Sequence, residues 1–191
     1  MARSLTCAGV LLGALPLFAA APAAALEVAA TFTIRQLPAV VDLNGPLREG
    51  SDHVATFVTG GGPVELADPS AATLTDLVQD TVAGAAVRIA NQLDGAEERL
   101  DAEVLGTVIA KSYDAATGRL VLTGLDTVAN YQAVLRTLVY ENVSLHPHRD
   151  IRRITVAVDD GTAEGPAAVC TVTLQPGAMA RAATPLPSER R

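Results

Sequence analysis

Two histidines separated by one proline, His146 and His148, follow closely on Asn142-Val143-Ser144. Imidazoles of this spacing are the kind that bind zinc, but zinc takes at least three protein ligands. The only other histidine, His53, is remote in the chain, so the pair reads as part of a polar turn. Ser144 beside His146 brings a nucleophile type near a base type. Covalent hydrolysis also needs an orienting acid, with partners gathered by the fold rather than adjacent in sequence. Thr59-Gly60-Gly61-Gly62 lacks both the serine of a nucleophile turn and the lysine and helix of a phosphate loop. Asp94, Glu97, Glu98, Asp101 and Glu103 form an acidic run with the paired carboxylates that glycosidases use. Such enzymes stack sugars on aromatic rings, and this chain has no tryptophan; the run reads as a solvated loop. Arg149, Arg152 and Arg153 are the densest basic spot and read as solvated turn and strand-face residues. Asn142-Val143-Ser144 is also a glycosylation sequon, relevant only in a eukaryotic host. Cys170 lies in an alternating apolar stretch, AAVCTVTL. A buried small hydrophobe and a thiol for intermolecular pairing are both open readings of it.

These residues must be held by whatever elements the rest of the 191-residue chain supplies. Residues 1–25 read as a secretory signal. Met1-Ala2-Arg3 gives a positive start, Val10 to Ala20 is an apolar core broken by Pro16, and Ala23-Ala24-Ala25 offers the small residues of a cleavage site. The apolar run is too short and interrupted for a membrane span, which takes about 20 apolar residues; no span is expected after cleavage. Cys7 precedes the apolar core, where a lipoprotein signal would not place it. The mature chain, about 165 residues, is one domain with tails, and Cys170 is its only cysteine, so the core must do the work a disulfide does in smaller secreted domains. A formal charge of −7, with no cluster of Lys, Arg and aromatics, excludes nucleic acid as a partner.

Short apolar alternations bounded by turn residues recur along the chain. Residues 26–37 read as an N-terminal strand or linker. Strands are expected at Val54–Val58, Val64–Ala67, Gly84–Ala90, Leu105–Tyr113, Arg119–Thr123, Ile151–Val158 and Ala168–Leu174, whereas Leu74–Asp80 and Asn91–Arg99 read as polar loops. Val128, Tyr131, Val134, Leu135 and Leu138 recur at helical spacing, with Asp126 or Thr127 as cap. Strand resumes at Val139-Tyr140. Residues 176–191 lack periodicity and read as a disordered tail. About nine short strands and one short helix predict an all-β fold, a β-sandwich over residues 38–175.

The stretch from Arg119 to Gly161 carries a further signal. It holds Asn130-Tyr131-Gln132, the pair Leu135-Arg136, a Tyr140-x-Asn142 strand end, and an arginine-initiated strand closing on Asp159-Asp160-Gly161. Val41-Asp42-Leu43-Asn44-Gly45, Thr56-Phe57, Asp94-Gly95-Ala96-Glu97 and Ser112 to Gly118 extend the pattern. Together these resemble the cadherin-like, immunoglobulin-like repeats of large secreted bacterial adhesins, over roughly Pro38 to Leu174. The resemblance implies an immunoglobulin/cadherin-like β-sandwich with one short helix, secreted or at the cell surface. It implies a non-enzymatic module for adhesion or extracellular structural binding, whose partner is a surface or matrix protein or a glycan met by surface complementarity or strand-edge pairing. Relatives of this kind bind calcium through acidic loops, which here nominates Asp42, Asp76, Asp80, Asp159 and Asp160 as metal ligands, with Asp68 beside them. Calcium takes six to eight oxygens. Two carboxylates of the family pattern are replaced, by Thr59 before the glycine turn and by Val78 in the loop after Thr75. A detached relic of a repeat protein, without a specific partner, is the alternative; a secreted hydrolase is the third reading.

Overall fold

The protein is described from a computed structural model, covering residues 4–7, 30–33, 37–104 and 106–177. The rest of the expected signal segment and the tail from residue 178 lie outside the described residues. The chain divides into two compact units, Met1–Leu37 and Pro38–Arg191. In the first, strand β1 (Ser4–Cys7) pairs antiparallel with β2 (Ala30–Thr33), Ser4 opposite Thr33.

The second unit is all-β with one short helix. In chain order its strands are β3 (Val40–Asp42), β4 (His53–Val58), β5 (Val64–Glu65), β6 (Thr73–Thr75), β7 (Thr81–Ile89), β8 (Glu98–Asp101), β9 (Ala110–Asp114), β10 (Arg119–Thr127), β11 (Val139–Asn142), β12 (Arg152–Asp159) and β13 (Ala168–Gln175). Helix α1 (Val128–Leu135) joins β10 to β11. Among the described residues no helix is long and apolar enough to cross a membrane.

A six-stranded sheet runs β4-β13-β12-β7-β10-β9. Every neighbouring pair in it is antiparallel except β4 and β13, which run parallel with His53 beside Cys170 and Val58 beside Gln175. Two smaller sheets, β5-β11-β8 and β3-β6, complete the unit. The core forms where the sheets face one another, because period-2 alternation gives each strand one apolar face. In β13, Ala168, Cys170, Val172 and Leu174 are buried while the residues between them are not. Leu120 and Leu122 of β10, Val87 and Ile89 of β7 and Ile154, Val156 and Val158 of β12 continue the same layer. Across it, Tyr140 of β11 meets Phe57 of β4 edge to face, ring centroids 5.6 Å apart.

Helix α1 begins at Thr127, whose Oγ1 accepts from the Asn130 amide at 3.2 Å, so Thr127 rather than Asp126 is the cap. The helix is shorter than the spacing predicts. Leu138 is already past its end, and β-branched Val139 starts the next strand. Buried Tyr131 donates its hydroxyl to the Gly124 carbonyl at 2.6 Å, pinning the helix to the strand before it. Gly124 sits at a register shift of β10 against β7, with φ +126°, a conformation that side chains disfavour.

Four elements depart from expectation. The short strands β3 and β6 pair where no strand is expected, β6 running into the expected polar loop, with Val41 opposite Leu74. Strand β8 occupies the expected acidic loop, because Glu98 and Leu100 both point inward. The expected strand from Leu105 begins at Ala110, and Leu105 itself lies outside the described residues.

Candidate functional site

The residues that carry most of the polar motif signal meet in one buried network. Arg152 opens β12 in phase with Ile154, Val156 and Val158, so the strand's alternation drives it into the core; it is fully buried, as is Glu98. This corrects the reading of Arg152, Asp94 and Glu98 as solvated, whereas Glu97, Asp101 and Glu103 of the acidic run are exposed as expected. The Arg152 guanidinium uses all three nitrogens. Nε donates to Glu98 Oε1 and one Nη to the Asp150 carbonyl. The other Nη donates to Asp94 Oδ2 at 2.6 Å and to the His148 carbonyl at 3.2 Å. Tyr140 donates to Glu98 Oε1 at 2.8 Å, and the Leu93 amide to Oε2 at 2.9 Å. Asn142 Nδ2 donates to Asp94 Oδ2 at 2.7 Å, and the His148 amide to Asp94 Oδ1 at 3.0 Å. A buried charge is tolerated only when paired and hydrogen-bonded, and these ions meet both conditions. Burial raises the Asp94 pKa, but the His148 amide, the Asn142 amide and Arg152 outweigh it, so the carboxyl is held below its ordinary range. Burial and then the Glu98 charge raise the Tyr140 phenol well above its usual value. A neutral phenol, two paired carboxylates and a locked guanidinium hold three chain segments together, and each donor and acceptor named is taken up by the protein.

The network also accounts for other candidate residues. His146 and His148 form a turn: the His146 amide donates to Ser144 Oγ at 3.3 Å, and His148 contributes its backbone to Asp94 and Arg152. Ser144 in turn donates its amide to Asn142 Oδ1 at 2.9 Å. Asn142 is buried with both ends of its amide occupied, so the folded protein presents no sequon for a glycan. Cys170 is fully buried in the central layer, where burial pushes its thiol up to about 12. That is the small-hydrophobe role, and a thiol so placed is out of reach of a second molecule in the folded state.

The aspartates expected to bind calcium cap turns with their carboxylates, Asp80 excepted. Asp42 Oδ1 accepts from the Asn44 and Gly45 amides, at 3.0 and 2.8 Å. Asp68 does the same for Ser70 and Ala71, and those bonds hold its pKa down to about 2. Asp76 Oδ1 accepts from Val78 and Gln79, at 2.8 and 2.9 Å, and Asp159 Oδ1 from Gly161 at 2.8 Å. The Asp80 backbone carbonyl accepts from the Val128 amide at the start of α1. Asp160 Oδ1 accepts from the Thr162 hydroxyl and the Thr162 and Ala163 amides, at 2.6, 2.7 and 2.9 Å. Burial works to raise its pKa, but these bonds outweigh it and the net effect is to lower it. Among the described residues no three of His, Cys, Asp or Glu gather closely enough to hold a metal. Two of the named carboxylates nevertheless keep a buried oxygen without a hydrogen-bond partner, Asp76 Oδ2 and Asp160 Oδ2. Asp76 lies just past the end of β6, and the Ala39 amide, just before β3, adds a weaker pull on the Asp160 carboxyl.

Among the described residues, a concavity lies on the outer face of the six-stranded sheet. It is an open trough of about 690 Å³, floored by Ala86, Val121 and Ala157. Arg88 and Arg119 stand directly opposite one another on β7 and β10, and both line it. Asp114 faces Arg119 from β9, but its carboxylate is turned to the Thr117 hydroxyl and the Ala116 amide, at 2.7 and 2.9 Å. Like charges directly opposite on a sheet destabilise it, and among the described residues neither arginine forms an ion pair. The motif reading passed over this face. Its only sequence signal is the outward phase of Arg88 and Arg119 against buried Val87 and Leu120.

Compared with protein families, curated proteins and solved structures, the chain matches none.

Proposed function

We propose that the chain is a secreted, non-enzymatic β-sandwich module of the immunoglobulin/cadherin-like kind, binding a surface or matrix protein or a glycan outside the cell. The observation that carries this reading is the fate of the motif residues. Asp94, Tyr140, Asn142 and Arg152 are spent on an internal network, which leaves the broad outer face of the large sheet for recognition. The parallel pairing of β4 with the last strand, β13, and the Tyr131 hydroxyl bonded back to Gly124 support the immunoglobulin-like form. Calcium stiffens the module where Asp76 and Asp160 each offer a spare buried oxygen, with backbone carbonyls and water supplying the remaining ligands.

The outer trough is where complementarity to a partner is concentrated. Val121 lines its floor from the exposed side of β10, away from buried Leu120 and Leu122. The full chain is applied to intact cells and to extracellular matrix, alongside a Val121→Arg variant with an unchanged melting temperature. Saturable binding that the variant loses is expected. No binding, or binding indifferent to Val121→Arg, overturns the assignment of this face.

A further inference from the structure

The two edges of the six-stranded sheet are not alike. At one edge, β9 is closed toward β8: Lys111 Nζ bonds Asp101 and the Ala102 carbonyl, both at 2.6 Å, and Tyr113 donates to the Glu98 carbonyl. A lysine on an edge strand is a usual guard against pairing with another chain. At the other edge, β4 reads His53-Val54-Ala55-Thr56-Phe57-Val58, with no lysine, proline, carboxylate or bulge.

The backbone of β4 divides cleanly between its two sides. The Thr59 amide bonds the Gln175 carbonyl of β13. Backbone groups alternate sides along a strand, so Phe57 and Ala55 also face β13, and their side chains are buried. Val54, Thr56 and Val58 therefore direct their N–H and C=O groups away from β13; the Val58 carbonyl there already accepts from the Gly61 amide at 2.8 Å and keeps one lone pair for a partner. Their side chains are exposed, Val54 at 72% and Val58 at 38%. Among the described residues no strand occupies that edge. A row of edge donors and acceptors that no neighbouring strand takes up, flanked by exposed β-branched side chains, is a pairing template.

The pattern on this edge is a palindrome, Val-x-Thr-x-Val centred on Thr56. Antiparallel pairing about a two-fold axis at Thr56 sets Thr56 against Thr56 of the second copy, and Val54 against Val58 of the second copy. Threonine–threonine and paired β-branched residues are favourable cross-strand neighbours. The nearest acid, Asp52, meets Gly60 of the second copy, so no like charges oppose. We propose that β4 is a homodimerisation edge, joining two copies antiparallel through Val54, Thr56 and Val58 into one continuous sheet. The partner is a second copy because the palindrome is self-complementary, as a two-fold interface requires. This holds whatever the outer face binds. A single strand pair is a small interface, so the dimer is weak and depends on concentration.

Sedimentation equilibrium of the full chain across a wide concentration range reads the association directly. The expected result is a reversible rise from monomer to dimer mass, abolished by Thr56→Lys without loss of melting temperature. Thr56→Cys, in a Cys7→Ser background, gives an independent reading. Residues paired in this way have Cα atoms about 5.5 Å apart, within the span of a disulfide. The variant should therefore form an interchain disulfide on mild oxidation, whereas Ser112→Cys on the guarded β9 edge should not. A chain that stays monomeric throughout, a dimer that survives Thr56→Lys, or cross-linking no faster at residue 56 than at residue 112 each overturns the proposal.

Discussion

Arg152 sits between two carboxylates that it alone neutralises, Glu98 and Asp94, in a site closed to water. Arg152→Ala leaves both anions buried without their cation, which costs about 3–5 kcal/mol. Arg152→Lys keeps the charge but loses the fork of donors, so its urea midpoint should fall between those of the parent and the alanine variant. The network also sets a pH dependence. Asp94 is held below its ordinary pKa in the folded protein, so its stabilisation is present in full above the unfolded value, ~3.9. It is lost as the pH falls through the lower folded value. Urea midpoints measured from neutral pH into that acid range should therefore decline, and the decline should be shallower in Arg152→Ala, where part of the pull on Asp94 is gone. A parallel decline in both proteins would show that Arg152 does not hold the carboxyl down. Arg152 was hidden in the sequence because reading by residue type sends a charge outward. The legible clue was phase: Arg152, Ile154, Val156 and Val158 alternate on one side of one strand, as do Glu98 and Leu100.

At the scale of elements, the longer strands were legible because each carries a run of apolar and β-branched residues bounded by turn residues, and β13 alternates apolar and polar residues from Cys170 to Gln175. The short helix was legible from its spacing, although tertiary contacts cut it to Val128–Leu135. Strands β3 and β6 were not legible, because three residues give too little alternation to distinguish a strand from a loop. Their placement depends instead on close backbone contact. Gly165 lies so near the start of β3 that a Cβ there would come within 1.9 Å of the Ala39 carbonyl oxygen. The contact is with backbone, so the chain itself must move. Gly165→Ala should cost about 1–3 kcal/mol or more. The exposed Gly50, with no atom within 4 Å of such a Cβ and φ +72°, serves as control, since its alanine variant carries backbone strain alone. Thermal melts of the two variants compare crowding with strain, and an equal loss in both would mean that the loop around Gly165 simply relaxes.

For the whole molecule, the aspartates named from the sequence divide into Asp42, Asp68 and Asp159, which only cap turns, Asp80, which contributes its backbone carbonyl, and the two that retain a spare buried oxygen. Spacing along the chain could not separate them, because it depends on which turns the sheets bring alongside one another. Asp76 follows β6 and Asp160 follows β12, far apart in sequence. A ligand that binds only the folded state stabilises it by about 2.7 kcal/mol at a hundredfold excess over its Kd, which for a domain of this size is a rise of a few degrees. The full chain should melt higher in calcium than in chelator, and Asp160→Asn should lose the difference. Identical melts in calcium and chelator would remove the metal from the proposed function and leave the outer face unaffected.

The parallel pairing of β4 with β13 has a consequence under load. The chain enters this ladder at His53 and leaves it after Gln175, at the opposite end. Tension that reaches His53, once β3 has come away from β6, therefore slides these strands past each other. Their hydrogen bonds resist together in shear and cannot be peeled open one at a time. Forced unfolding follows the unfolding rate and not the equilibrium stability, so this one ladder sets how long the unit holds when whatever it grips is pulled away.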